Sequence, residues 1–319
     1  MILILLLLLL FVLQHWSDRA ESFIDLSLTE LENYPIGNSY VYSNVNDLIA
    51  AHPNIRSDDN VLIFLVNWPY GFGSALSVHA QNACYLNSVN SSLIVLPHFS
   101  QNSNHFKYHQ HGYNNSFFLY FKSLIQLNRA NEYKIYFAKS TVLDTRFGVE
   151  GLDTSVIPPM LKSGNARLIN HFRQHYRIRD AFRDGIAKSE VGIHIRGLAQ
   201  KRAHHPAYLE TSIDERLKLL ANHEGVRSAN VFVMSDVMEY INKAKQHFGP
   251  NVCYMSDISR VATDTNDSIP KLNQVGFKLG SDILRECYAM SLSDHIYVSE
   301  SNIPFIISLI NPNVKMFGY

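Results

Sequence analysis

From Ser189 to the C-terminus, short apolar runs alternate with amphipathic segments, and this alternation constrains the fold more than any other feature of the chain. The apolar runs are Val191–Ile195, Asn230–Met234, Val252–Met255, His295–Val298 and Val314–Phe317. Between them lie Tyr208–Leu220, Val237–Phe248, Leu279–Met290 and Pro304–Ile310. The helical faces are regular. Leu209, Ile213, Leu217 and Leu220 recur every three or four residues, as do Met238, Ile241 and Phe248 around Ala244, and Leu279, Ile283, Cys287 and Met290. Strands and helices taking turns call for parallel strands with right-handed crossovers, a doubly wound α/β unit.

The N-terminal half carries the same pattern less clearly. Asn60–Asn67 reads as a buried strand, Ser74–Asn87 as a helix and Leu93–Leu96 as a second strand, together one βαβ unit. Between about His98 and Ser163 the text is aromatic and polar without clean periodicity, and a polar helix over 165–188 leads into the second unit. The expected organisation is a leader over 1–20, a Rossmann-like unit over 21–175 and a second over 176–319. If the two face each other, a cleft lies between the carboxyl ends of their parallel sheets, where ligands bind in open α/β proteins.

A length of 319 residues suits two such units. The 28 Lys and Arg balance 28 Asp and Glu, so no nucleic-acid partner is implied, and 46% apolar residues exclude a disordered chain. Cys84, Cys253 and Cys287 contain no C-x-x-C pair, so neither a disulfide framework nor a zinc knuckle is encoded. Cys253, in an apolar run, and Cys287, on a helix face, read as buried thiols.

Met1–Leu13 is almost pure Leu and Ile, shorter than a bilayer span of roughly 20 residues, and Ala20 follows as a small residue suited to cleavage. A signal peptide or a short membrane anchor is expected. Either address is the secretory pathway: the Golgi lumen, the Golgi membrane in type II orientation, or secretion. Sequons at Asn90, Asn114 and Asn266 fit a luminal chain.

The chemistry gathers at strand ends. In Glu190-Val-Gly-Ile-His194-Ile-Arg196-Gly197, an imidazole and a guanidinium two residues apart leave the strand on the same side. Such an Arg can present its fork to a diphosphate, with a surface salt bridge as the plain alternative. The basic Lys201, Arg202, His204 and His205 follow. Asp236, after Val231–Ser235, either caps the next helix, the simpler role, or accepts hydrogen bonds from a sugar or base. Ser299-Glu300-Ser301-Asn302 collects hydroxyls at a helix N-terminus before Pro304, a natural phosphate seat with plain capping as its alternative.

His105, His109 and His111 have the spacing of metal ligands, but no acid accompanies them and their Asn, Gln, Tyr and Phe neighbours read as a surface or acceptor-binding loop. Neither half shows G-x-G-x-x-G opening a helix after a strand, which counts against a dinucleotide-dependent oxidoreductase.

With these motifs in order, residues of about 190–319 resemble the fucosyltransferase superfamily with two facing Rossmann domains (GT-B), which includes α1,6-fucosyltransferases and protein O-fucosyltransferases. The family hallmark H-x-R-R-x-D stands here as His194-Ile195-Arg196-Gly197-Leu198-Ala199. His205-Pro206 before a helix, Met234-Ser235-Asp236 and the run Leu284–Asn302 follow in the family's order. The resemblance implies that Arg196 contacts the donor diphosphate and is needed for catalysis, with His194 in a neighbouring role. It places Asp236 near the nucleotide, Ser299, Ser301 and Asn302 on the phosphates, and Glu286 at an acidic position of the preceding helix.

Gly71-Phe72-Gly73 resembles the Gly-rich turn of the family's N-terminal domain, where backbone approaches ligand closely; a simple tight turn is the plain alternative. The second arginine and the acid of the hallmark are absent at Gly197 and Ala199, and Lys201 or Arg202 is placed to supply the missing cation.

The implied reaction is inverting, metal-independent transfer of fucose from GDP-fucose to a hydroxyl of a glycan or glycoprotein, without a further cofactor. His204, His205 and Glu210 are candidate bases by position. The acceptor is expected to be recognised by the aromatic N-terminal segment. Given Gly197 and Ala199, the alternative class is a non-catalytic secreted protein that binds a carbohydrate or another partner on the same scaffold.

Overall fold

The computed structural model describes residues 23–24, 34, 36, 39–67, 71–99, 113–127, 131–141, 164–183, 186–197, 212–223, 225–263, 276–299 and 301–318. In chain order the first part holds β1 (Phe23–Ile24), β2 (Val41–Tyr42), α1 (Val45–Ala51), β3 (Val61–Asn67), α2 (Phe72–Val89), β4 (Ile94–His98), α3 (Phe117–Tyr120), β5 (Phe121–Ser123) and β6 (Tyr133–Ser140). After α4 (Gly164–His175) and β7 (Tyr176–Ile178) come β8 (Val191–Ile195), α5 (Ile213–Ala221), β9 (Val231–Ser235), α6 (Met238–Phe248) and β10 (Val252–Cys253). The chain then runs through α7 (Phe277–Ser291), β11 (His295–Val298), α8 (Ile303–Ile310) and β12 (Lys315–Gly318).

The second sheet is parallel throughout, in the order β10-β9-β8-β11-β12. The chain winds outward from β8 through β9 to β10, then crosses back to β11 and β12, so the winding direction reverses between β8 and β11. Helices cover both faces. On one, Ile213, Leu217 and Leu220 of α5 and Ile241 and Ala244 of α6 pack on Val191, Ile193, Val231 and Val233. On the other, Leu284, Cys287 and Met290 of α7 and Phe305 and Ile306 of α8 pack on Phe232, Met234, Ile296 and Val298. Each buried Leu or Ile contributes about 1.5–3 kcal/mol over its exposed state.

Local signals set the helix ends. Ser212 opens α5 with a capping box: its hydroxyl accepts from the Glu215 amide at 3.2 Å, and its own amide donates to Glu215 Oε2 at 2.8 Å. Gly249, at φ +67, closes α6 in the left-handed region that favours glycine.

The α/β class with two parallel-stranded sheets is therefore the one observed, with differences of detail. In the first sheet β4, β3 and β6 are parallel and β2 pairs parallel to β6, while β1 runs antiparallel to β6. The strand β6, central to this sheet, lies inside the stretch without clean periodicity. The aromatics Phe117, Phe118, Tyr120 and Phe121 in that stretch are core residues, each 4% exposed or less.

The helix expected over 165–188 ends at His175. Tyr176 and Ile178 instead form a ladder with β5, and the Tyr176 hydroxyl donates to the Val95 carbonyl at 2.7 Å. Cys253, expected to be buried, is exposed because β10 is the edge strand; Cys84 and Cys287 are buried.

One apolar core joins the two sheets: Phe64, Phe72, Phe117 and Tyr120 belong to the same cluster as Leu284, Met290, Phe305 and Ile306. Tyr120 donates to the Phe277 carbonyl at 3.3 Å, and a Cβ on Gly280 would stand 2.6 Å from the Tyr120 ring, so this joint requires glycine. Among the described residues no helix is long and apolar enough to cross a membrane; residues 1–22, with the expected leader, lie outside them.

Candidate functional site

In an open parallel sheet the crevice beyond the carboxyl ends of the strands is widest where the winding direction reverses. Here that point lies between β8 and β11, whose register pairs Val298 with His194. The next residues are Ile195, Arg196 and Gly197 on one strand and Ser299 on the other. The Arg196 amide donates to Ser299 Oγ at 2.8 Å, the Ser299 amide donates to the His194 carbonyl at 3.1 Å, and Ser299 Oγ lies 3.4 Å from His194 Nδ1. Ser299 thus ties the two strand ends together. His194 is only 3% exposed and its ring is turned to Ser299, whereas the Arg196 side chain keeps 36% of its surface exposed.

Asp236, at the end of β9, completes the cluster. Its Oδ2 lies 3.2 Å from Arg196 Nη1, and its Oδ1 accepts from the Gly197 amide at 3.1 Å. The ion pair read as the plain alternative for Arg196 is present, at the carboxyl ends of β8 and β9, with the Asp236 side chain only 17% exposed.

The capping role read for Asp236 is not what the structure shows. The N-cap of α6 is Val237, without a side-chain cap. The Met238 and Glu239 amides donate to the carbonyls of Val261 and Ala262, and the Val237 amide donates to Ser235 Oγ at 3.1 Å. With the first turn served from residues 261 and 262, the Asp236 carboxylate turns to residues 196–197.

Behind β9 lies a residue that sequence reasoning missed. Arg260, its side chain 3% exposed, donates through Nε to the Ser235 carbonyl at 2.9 Å and through Nη1 to the Met255 and Ile258 carbonyls at 2.6 and 3.0 Å. Its Nη2 is bonded to Glu286 Oε1. No local motif marks this arginine, because its partners are scattered from residue 235 to residue 286. Glu286, expected among the donor-binding groups, is buried in this pair. Burial pushes its carboxyl up to about 8 against the pull of the guanidinium.

At α8 the hydroxyls divide their work. Ser301 Oγ accepts from the Ile303 amide at 3.1 Å, a local turn-closing bond. Asn302 stands at the N-cap position without capping; its Nδ2 reaches across to Ser74 Oγ at 2.7 Å, at the start of α2.

This crossing explains Gly73. A Cβ there would stand 2.7 Å from the Asn302 carbonyl oxygen, so the close approach that Gly73 permits is to Asn302. Gly71 is the N-cap of α2 in ordinary extended backbone, and a Cβ there would meet nothing within 4 Å.

The structure thus brings together His194, Arg196, Gly197, Asp236 and Ser299, with Ser301 and Asn302 beside them, Gly73 against Asn302 and Glu286 in the layer behind. Lys201, Arg202, His204, His205 and Glu210 lie outside the described residues, as do Leu198, Ala199, the histidines at 105, 109 and 111, and the sequon at Asn266.

No protein-family model matches the chain, and no curated protein sequence matches it. Among solved structures, the chain is similar to one described as NodZ alpha-1,6-fucosyltransferase co-crystallized with GDP. The likeness has a TM-score of 0.46 and 11% identity, and covers 80% of this chain and 94% of that one.

Proposed function

We propose that the protein is a glycosyltransferase of the secretory pathway that moves fucose from GDP-fucose to a hydroxyl of a glycan or glycoprotein, with inversion and without a metal ion. The observation that carries the reading is the position of Arg196: a partly exposed guanidinium at the reversal point of a parallel sheet, its backbone fixed by Ser299 and its fork oriented by Asp236. A partly exposed cation held at these strand ends is placed to offset the charge of a departing diphosphate. The order of motifs shared with the fucosyltransferases supports fucose and guanosine as the donor's parts.

In the reaction the acceptor oxygen forms a bond to the anomeric carbon as the bond from that carbon to the diphosphate oxygen breaks. The acceptor proton passes to a general base, for which His204, His205 and Glu210 are the candidates, and the electron pair leaves on GDP, whose charge Arg196 offsets. The second reading, a carbohydrate- or partner-binding protein without turnover, draws on Gly197, which holds Asp236 through its amide where the hallmark has a second guanidinium.

Calorimetry with GDP, UDP and GDP-fucose, run beside an assay of donor hydrolysis, separates the two. A transferase binds GDP and GDP-fucose in preference to UDP and slowly hydrolyses the donor. Arg196→Ala weakens GDP about ten- to a hundredfold, the worth of one hydrogen bond to a charged group. No binding of any of the three nucleotides ends the proposal, and binding without hydrolysis or transfer favours the second reading.

A further inference from the structure

Helices α2 and α4 lie side by side and antiparallel. His79, in the first half of α2, is 6.2 Å from Phe172 near the end of α4, measured between ring centroids, and the second half of α2 meets the start of α4. There the two helices leave a cavity of about 230 Å³ between Cys84 and Asn87 of α2 and Arg167, Asn170, His171 and Gln174 of α4. Pockets for drug-sized ligands run to about 300–1,000 Å³, so this one has room for a single sugar-sized ring. It is separate from the cluster at the strand ends: Cys84 lies about 15 Å along α2 from Ser74, at 1.5 Å per residue.

The charge of the cavity is one-sided. Neither α2 nor α4 contains an Asp or Glu. Arg167 is exposed and brings a full positive charge, and among the described residues nothing forms an ion pair or hydrogen bond with its side chain. The titratable neighbours that act on the Cys84 thiol and the His171 ring are Arg167 and His175, with no carboxylate among them. The helix dipoles cancel here, about half a negative charge at the end of α2 against about half a positive charge at the start of α4, which leaves the guanidinium to set the sign.

Around that cation stand groups that both donate and accept. The carboxamides of Asn170 and Gln174 bond to no described residue, and Asn87 spends one Nδ2 hydrogen on the Leu93 carbonyl at 3.1 Å and keeps the other. Burial first, then His175 and Arg167, lower the pKa of His171 to about 4, so at neutral pH its ring is uncharged and offers one donor and one acceptor. Sugar hydroxyls also donate and accept, and a planar fork matches the paired oxygens of an oxyanion. Cys84, its thiol pushed up to about 11 by burial, stays neutral and supplies an apolar wall.

We infer that this cavity binds a sugar-sized polyhydroxyl ligand bearing one oxyanion, a carboxylate or a phosphate, with Arg167 on the oxyanion and the carboxamides of Asn87, Asn170 and Gln174 on the hydroxyls. The site does not depend on the reading of Arg196 and gives the molecule a second ligand.

The test titrates the purified full chain by calorimetry with glucuronate, glucose 6-phosphate, glucose and inorganic phosphate. Saturable binding of at least one of the two sugar anions is expected, the tighter of them naming the oxyanion, with glucose and inorganic phosphate each weaker by about tenfold or more. Arg167→Gln should weaken the better sugar anion about ten- to a hundredfold, the worth of one hydrogen bond to a charged group. Asn170→Asp, which sets a carboxylate in the cavity, should also weaken it. Both positions are exposed, so the fold should be kept. Arg173→Gln removes the same charge from α4 outside the cavity and should leave the affinity unchanged.

No binding of either sugar anion overturns the inference, as does unchanged affinity in Arg167→Gln or an equal loss in Arg173→Gln. Glucose or inorganic phosphate as tight as the better sugar anion overturns it too. Binding that survives Arg167→Gln and vanishes in Arg196→Ala belongs to the strand-end cluster; it ends this inference and leaves the proposal for Arg196 standing, while failure of GDP to bind ends that proposal and leaves this one.

Discussion

His79 offers a prediction whose size follows from the structure. It lies on α2, 1% exposed, with neither ring nitrogen bonded to a protein group. Phe117, Phe172 and Tyr176 surround it at 6.0 to 6.4 Å between ring centroids. Burial first, then the nearby His171 and His175, lower its pKa from 6.5 to about 3. The sign follows from which state binds the proton. Between these two values the unfolded chain is protonated at this residue and the folded chain is not, so stability falls as pH drops below 6.5 and the loss is complete near pH 3.

The full gap is worth about 5 kcal/mol at 1.36 kcal/mol per pH unit, and the part lost between about pH 7 and about pH 5 is about 2 kcal/mol. His79→Leu removes the titrating group and two unsatisfied polar atoms, and it puts a better helix former in an aromatic cage. Urea denaturation followed by circular dichroism at the two pH values should find the variant at least as stable as the wild type at neutral pH. Its advantage should be about 2 kcal/mol larger near pH 5. His171, itself lowered to about 4 by burial, His175 and Arg167, weakens both proteins equally on acidification and cancels in the comparison. Parallel loss of stability in the two proteins would refute the reasoning, because the imidazole would then be titrating as an exposed one does.

Two further outcomes follow from the joint and from the layer behind the site. Gly73→Ala drives a Cβ into the backbone of Asn302, and Gly280→Ala drives one into the Tyr120 ring. Each should lower the thermal midpoint by the equivalent of about 1–3 kcal/mol, measurable by calorimetry, and an unchanged midpoint contradicts the close approach. Arg260→Met leaves Glu286 buried without its cation and should cost about 3–5 kcal/mol where Glu286 is ionised, less where it is protonated. Its denaturation midpoint should therefore fall further behind the wild type as pH rises through about 8, where the wild-type carboxyl ionises beside its guanidinium, and a penalty independent of pH tells against a carboxyl raised by burial.

The second sheet was legible because helices such as α5 pack one stripe on a strand surface, as Ile213, Leu217 and Leu220 do. The strand β6 was not, because every position from Tyr133 to Ser140 is buried or half-buried. A strand covered on both faces loses the alternation that marks one, and Lys134, drawn out to Asp58, interrupts the apolar run. The end of α4 was hidden for another reason. Nothing in Tyr176-Arg-Ile forbids a helix, and only the ladder with β5 and the bond to Val95, both distant in sequence, make extension the better conformation.

The same division runs through the site. Strand ends followed by polar residues were visible as candidates, since a parallel sheet puts its crevice there whatever the side chains are. Which way each side chain turns was not visible, because bonds across 40 to 100 residues decide it. Asp236 has the composition of a helix cap, yet residues 261 and 262 take that duty and leave its carboxylate for Gly197 and Arg196. A guanidinium carries five donors in one plane, so a carboxylate at one edge fixes the orientation of the whole fork. Ser299 fixes the backbone beneath it, and Arg260, by holding the carbonyl of Ser235, fixes the strand from which Asp236 leaves. The direction of Arg196 is thus determined three times over by residues that share no motif with it, and an anion-binding role needs that direction more than it needs the arginine's place in the sequence.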